Sequence, residues 1–176
     1  MNYFAEFFRD SIVIKIIIAI ATFLFSIMSN AQVNKDSELF KTLQKNDSII
    51  FESSFNNCNI SDLDLLISED LEFYHDTGGV TNGKEAFVKT VKQNICSNPK
   101  SKPLRKLVKG SLQVFPLYSN GKLYGAIQKG DHEFYLREEG KTIPTVVAKF
   151  THLWVLKKNK WTLKRVLSYD HQPIQN

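Results

Sequence analysis

Four histidines are the side chains in this sequence best suited to moving a proton near neutral pH: His75, His132, His152 and His171. Three of them adjoin an aspartate, as His75-Asp76, Asp131-His132 and Asp170-His171. In a strand, successive side chains point to opposite faces, so a sequence neighbour is not thereby a hydrogen-bond partner and parity is the better guide. Leu71, Phe73 and His75 share one parity, and so do Phe150, His152 and Trp154. Near the C-terminus Trp161, Leu163, Arg165, Leu167 and Tyr169 share a third, with His171 joining them if the strand extends that far.

If these three faces line one concavity, His75, His152, His171, Arg165 and Tyr169 converge in an aromatic pocket, the common form of a small-molecule site. Phe73, His75, His152, Trp154, Arg165 and Tyr169 are then the expected ligand contacts. His75, Asp76, His152 and His171 are the candidates for acid–base work. Each also has a plain structural reading. His75 could hold its Gly-Gly turn by hydrogen bonds, His152 could be a satisfied core histidine, and Asp170-His171 could cap a strand end. Arg165 could clamp a carboxylate or simply pair with Asp76 or Glu72.

Other chemistries have less support. No HxH or HExxH spacing occurs, so no metal is expected. Gly78-Gly79 and Gly83 lack the spacing of a phosphate loop, and Ser168 lacks the glycines of a nucleophile elbow. Nothing asks for a cofactor. Cys58 and Cys96 are the only cysteines and form no CxxC, so a single bridge and two buried free thiols are both open.

The positioning elements follow from periodicity. From Asp36 to Asn57 apolar residues recur at three- and four-residue steps, predicting an amphipathic helix capped by Asp36 or Ser37. A short helix carries Leu63, Leu65, Leu66 and Ile67, and a strand over residues 71–75 stops at Thr77-Gly78-Gly79. A third helix runs from Asn82 or Gly83 to Asn98. Four long strands follow: Leu104 to Pro116, Leu123 to Leu136 with a bulge expected at Gly130, Val146 to Lys157, and Trp161 to Asp170 after a tight Lys158-Asn159 turn. The class is α+β, a cone-shaped fold in which a curved, mostly antiparallel sheet wraps around three N-terminal helices.

The N-terminus reads as an export signal. An apolar core of about a dozen residues from Ile16 to Met28 is shorter than the ~20 a membrane span needs, and Ser29-Asn30-Ala31 offers a cleavage site. Residues 1–31 are thus expected to be removed, leaving residues 32–176 as one periplasmic or secreted domain with no stable membrane anchor. An uncleaved anchor is the alternative, because Ile12-Val13-Ile14 lengthens the apolar stretch. The chain is mildly basic, with a formal net charge of +5. Its lysines are scattered without interleaved aromatics, so no nucleic-acid partner is expected.

Three stretches resemble the nuclear-transport-factor-2-like superfamily, and within it the domain of unknown function 4440 and SnoaL-like proteins. They are Leu71 to Asp76 running into Gly78 to Phe87, Phe150 to Leu156, and Trp161 to His171. The resemblance implies a conical pocket and a homodimer formed through the outer sheet face. Its members include isomerases, cyclases and dehydratases as well as binding and scaffold modules, so it assigns no activity. The acid and tyrosine of the steroid isomerases find no match here. The leading expectation is a small-molecule-binding module. The alternatives are a small lyase, isomerase or hydrolase with a pocket histidine as base, and an interaction subunit.

Overall fold

The computed structural model describes residues 32–174. The expected export signal, residues 1–31, lies outside the described residues. Helix α1 (Glu38–Ser48) begins where Ser37 Oγ accepts the Phe40 amide at 3.2 Å, and it continues as a wider π-helical stretch over Ile49–Asn56. A short 3₁₀ turn leads into α2 (Leu63–Leu66), β1 (Ile67–His75) and β2 (Gly79–Asn82). Helix α3 (Lys84–Thr90) again widens, over Val91–Ile95. The remaining strands are β3 (Ser101–Leu107), β4 (Gln113–Ser119), β5 (Lys122–Glu138), β6 (Lys141–Lys157) and β7 (Lys160–Pro173).

All seven strands form one sheet in the order β2-β1-β7-β6-β5-β3, with β4 also pairing with β5. Among the described residues only β1 and β7 pair in parallel. The predicted strand from Leu104 to Pro116 is two strands, because the chain leaves the ladder around Gly110, whose φ of 84° favours glycine. Gly130 is not a bulge. It pairs regularly with Phe150, and an added Cβ would lie 3.0 Å from the Phe150 ring, so the glycine makes room for that ring.

One face of the sheet packs on the helices. Phe40, Leu43 and Ile50 meet Leu71, Val114, Ala126, Phe150, Trp154 and Leu163 in a continuous core. The Cys58–Cys96 disulfide joins the end of the α1 stretch to the end of the α3 stretch. Among the described residues no helix is long and apolar enough to cross a membrane.

Two irregularities in β7 decide which side chains reach the inner face. Leu153 pairs with Arg165 and Trp154 with Leu163, so Lys164 is an extra residue and the alternation resets there. Further on, Asp170 and His171 stand opposite Ala148 alone, with Asp170 at a left-handed φ of 59°. The inward residues are therefore Leu163, Val166, Ser168 and His171, and the uniform parity expected from Trp161 onward fails.

A histidine-lined cavity and its hydrogen-bond chain

Between the helices and the sheet lies a cavity of about 350 Å³, within the range of small-molecule sites. Phe51 and Phe55 of the π-helical stretch after α1 form one wall, Phe87 and Val91 of the α3 stretch another, and Phe73, Phe134 and Phe150 cover the sheet. His75, His132, His152 and Ser168 supply most of the polar lining from the sheet.

Of the expected ligand contacts, Phe73, His75 and His152 are in this lining. Trp154 is fully buried beside it and donates Nε1 to Gln128 Oε1 at 2.8 Å. Arg165 and Tyr169 lie on the outer face, a correction that follows from the extra residue at Lys164. Arg165 pairs with Glu72 at 2.8 Å and donates to the Asp70 carbonyl, while Tyr169 is exposed. His132 was not singled out as a site residue, yet it is buried in the wall. The signal for it was alternation along β5: Ala126, Gln128, His132 and Phe134 share its parity.

Hydrogen bonds assign the neutral tautomers. His75 Nδ1 accepts the amides of Thr77 at 3.2 Å and Gly78 at 3.1 Å, so its proton sits on Nε2. This contact holds the turn and removes Nδ1 as a base. Gln128 donates Nε2 to the Leu43 carbonyl, which leaves Oε1 to accept from Trp154 and from His152 Nδ1 at 3.3 Å. His152 thus carries its proton on Nδ1, and among the described residues its Nε2 enters none of the hydrogen bonds around it. Arg105 donates Nε to His132 Nδ1 at 3.3 Å, which places the His132 proton on Nε2.

Burial, with the Arg105 cation adding to it, holds His132 down at about 2 and His152 at about 3. Burial lowers His75 as well, with His171 acting in the same direction. Arg105 itself forms a buried two-pronged pair with Asp47, at 2.8 and 3.1 Å, and lies 3.8 Å over the Phe51 ring. Burial raises the Asp47 carboxyl, against the pull of Arg105.

His171 stacks on the cavity-lining His75, with ring centroids 4.4 Å apart and planes 20° apart. His171 Nδ1 lies 2.5 Å from Asp76 Oδ1. These three residues each bring a ligand-type atom within 4.8 Å of the others, which raises the question of a metal. The arrangement fits an ion poorly. Imidazole lone pairs lie in the ring plane, so two stacked rings direct theirs side by side and not toward one ion, and His75 Nδ1 is already filled by backbone amides. The cluster is a hydrogen-bonded one as it stands.

Comparison of the sequence with protein-family models finds no match, and comparison with curated proteins finds none. Solved structures do match. An NTF2-like protein from Cytophaga hutchinsonii is 14% identical at a TM-score of 0.55, covering 75% of this chain and 97% of that one. A nuclear transport factor 2 superfamily protein from Salmonella enterica is 18% identical at 0.51, covering 66% and 80%. A putative calcium/calmodulin-dependent protein kinase II association domain from Xanthomonas campestris is 18% identical at 0.59, covering 77% and 89%. The chain has the nuclear-transport-factor-2-like fold, an α+β cone with a mixed, curved, open sheet of seven strands and three N-terminal helices. At these identities the likeness concerns the fold alone.

Proposed function

We propose that this chain is an exported module that binds a small, largely aromatic molecule bearing a hydroxyl group. The observation that carries the reading is that one Phe-lined cavity is lined both by His152, whose Nδ1 is taken by Gln128, and by His75, whose Nδ1 is taken by backbone amides. This leaves the two Nε2 atoms as an acceptor and a donor for a ligand. Aromatic walls hold a flat apolar body, and two oppositely handed imidazole nitrogens select a group that both donates and accepts. Export is supported by the N-terminal segment and by the Cys58–Cys96 bond, which persists in oxidising compartments.

Calorimetric titration of the full chain with phenol and with toluene tests the ligand class. Phenol should bind at least about tenfold more tightly, and His152→Leu should erase that preference, because a hydrogen bond in a dry site is worth about 1 kcal/mol or more. Equal affinity for the two, or no binding of either at millimolar concentration, sinks the reading.

A homodimer through the outer sheet face belongs to the same proposal. Val80, Tyr74 and Leu167 form an exposed row across β2, β1 and β7, with Tyr169 beside it, on a face where an antiparallel sheet left in water would carry polar residues. Sedimentation equilibrium should give a dimer that Leu167→Glu converts to monomer. A monomeric wild type would remove this part.

A further inference from the structure

Ser168 stands between a proton donor and a proton acceptor. His132 Nε2 is 3.5 Å from Ser168 Oγ, and Ser168 Oγ is 3.4 Å from His171 Nε2. With both imidazoles neutral, only one arrangement of protons satisfies this chain. The Asp76 carboxylate accepts a hydrogen bond from His171 Nδ1–H, which leaves His171 Nε2 bare. Arg105 fills His132 Nδ1, so His132 Nε2–H points its proton at Oγ. The Ser168 hydroxyl must then turn its own proton toward His171. Serine, imidazole and carboxylate are thereby in the order that activates a hydroxyl nucleophile, and that order is recognised by geometry and not by position in sequence.

The backbone supports this placement. Residues three apart on a regular strand face opposite sides, yet Ser168 and His171 share the inner side because Asp170 adopts a left-handed conformation between them. A non-glycine residue held there inside a strand is uncommon, and such outliers cluster at functional sites.

We infer that Ser168 is the nucleophile of an acyl-transfer site in this cavity, with His171 as its general base and Asp76 as the residue that positions His171, acting on small aryl esters. The inference rests on the pocket proposed above, whose Phe73, Phe134 and Phe150 walls would seat the aryl group. Ser168 Oγ bonds to the ester carbonyl carbon while its proton moves to His171 Nε2. The carbon–aryloxide bond then breaks, and the leaving oxygen takes that proton. Water attacks the acyl-serine by the reverse path, giving its proton to His171, and the carboxylic acid leaves as Oγ recovers a proton. His132 Nε2–H, beside Oγ, keeps the hydroxyl turned so that its own proton faces His171. The 3.4 and 3.5 Å spacings are typical of such bonds before substrate tightens them.

The test exposes the full chain to phenylmethanesulfonyl fluoride and maps the product by intact-mass and peptide mass spectrometry, alongside the phenol titration. One benzylsulfonyl group should appear on Ser168 as fluoride leaves. Ser168→Ala, which changes little volume, should take none and still bind phenol. His171→Gln should slow labelling by about 100-fold or more, and 4-nitrophenyl acetate hydrolysis by wild type should exceed that by Ser168→Ala by a similar factor. Phenol binding with no label on Ser168 overturns the nucleophile and leaves the pocket standing. Loss of phenol binding in the wild type overturns the pocket reading, whatever Ser168 does. A label at the same rate in His171→Gln, with its thermal melt unchanged, overturns the assignment of His171.

Discussion

Arg105 Nε reaches His132 Nδ1 at 3.3 Å while its two terminal nitrogens hold Asp47, so one guanidinium fixes both a buried carboxylate and the tautomer of a cavity histidine. Each of the three guanidinium nitrogens of Arg105 donates one hydrogen bond. Removing one partner of a buried pair leaves the other charge without compensation, a cost of about 3–5 kcal/mol. Asp47→Asn should therefore lower the melting temperature by roughly 10 °C, given about 2–4 °C per kcal/mol for domains somewhat larger than this one. Differential scanning calorimetry checks this, and a melt within 2 or 3 °C of wild type, as an order of magnitude for no effect, would show that the pair is not a structural element.

The same neutral histidines set a pH dependence. His132 and His152 sit at about 2 and about 3 in the folded chain against about 6.5 when unfolded. Below about 6.5 the unfolded chain takes up protons that the folded chain refuses, so stability falls as pH falls. Between pH 7 and pH 5 the two together should remove about 4 kcal/mol. His75, also lowered, acts in the same direction. Asp47, raised by burial, acts oppositely, its destabilisation easing as pH falls. Urea titrations at both pH values measure the difference. A midpoint that does not move would mean that these histidines are solvated and charged.

Much of this architecture was legible in the residues, and the failures have specific causes. The spacing of Leu39, Phe40, Leu43, Ile50 and Phe51 predicts the long first helix, which runs over Glu38–Ser48 and on through Ile49–Asn56. Lys158-Asn159 marks a hairpin whose two turn residues do take positive φ. Phe73, Phe150, Trp154, His75 and His152 fall on predicted inner parities. Parity failed in β7 because the two irregularities sit at Lys164 and Asp170, and neither is a glycine or proline that would announce a break. The first puts Arg165 and Tyr169 outside; the second brings His171 back in. Ser168 was set aside for want of a nucleophile elbow, a motif tied to another fold, and its setting depends on those register shifts. Gly130 illustrates the converse, since a glycine in a strand shows that something comes close without showing whether the cause is a bulge or a neighbouring ring.

The Cys58–Cys96 bond closes a loop with a sequence separation of 38, between two helical stretches whose Phe55 and Ile95 line the cavity. Loop-closure entropy for that length gives about 4 kcal/mol of stabilisation. Cys58→Ser with Cys96→Ser should lower the melting temperature by roughly 10 °C and weaken phenol binding, because the two walls lose their tie. A wild type whose melt is unaffected by reductant, with free thiols titrated to completion, would mean that the bond contributes nothing to the fold.

Asp170 offers the sharpest separation of geometry from chemistry, because it belongs to neither the nucleophile nor its base. Its side chain pairs with Lys149 on the outside, while its left-handed backbone turns His171 toward Ser168. Glycine adopts that backbone freely, whereas a β-branched residue resists it. Asp170→Gly should therefore keep wild-type labelling of Ser168 by phenylmethanesulfonyl fluoride, although the Lys149 pair is gone. Asp170→Val should restore regular alternation at the end of β7, carry His171 to the outer face and slow labelling by about 100-fold, the usual worth of a positioned base. Ser168, His171 and Asp76 are all present in both variants, so only the backbone conformation distinguishes them. Equal labelling of the two would mean that His171 reaches Ser168 without the irregularity, and that the left-handed residue has no part in assembling the site.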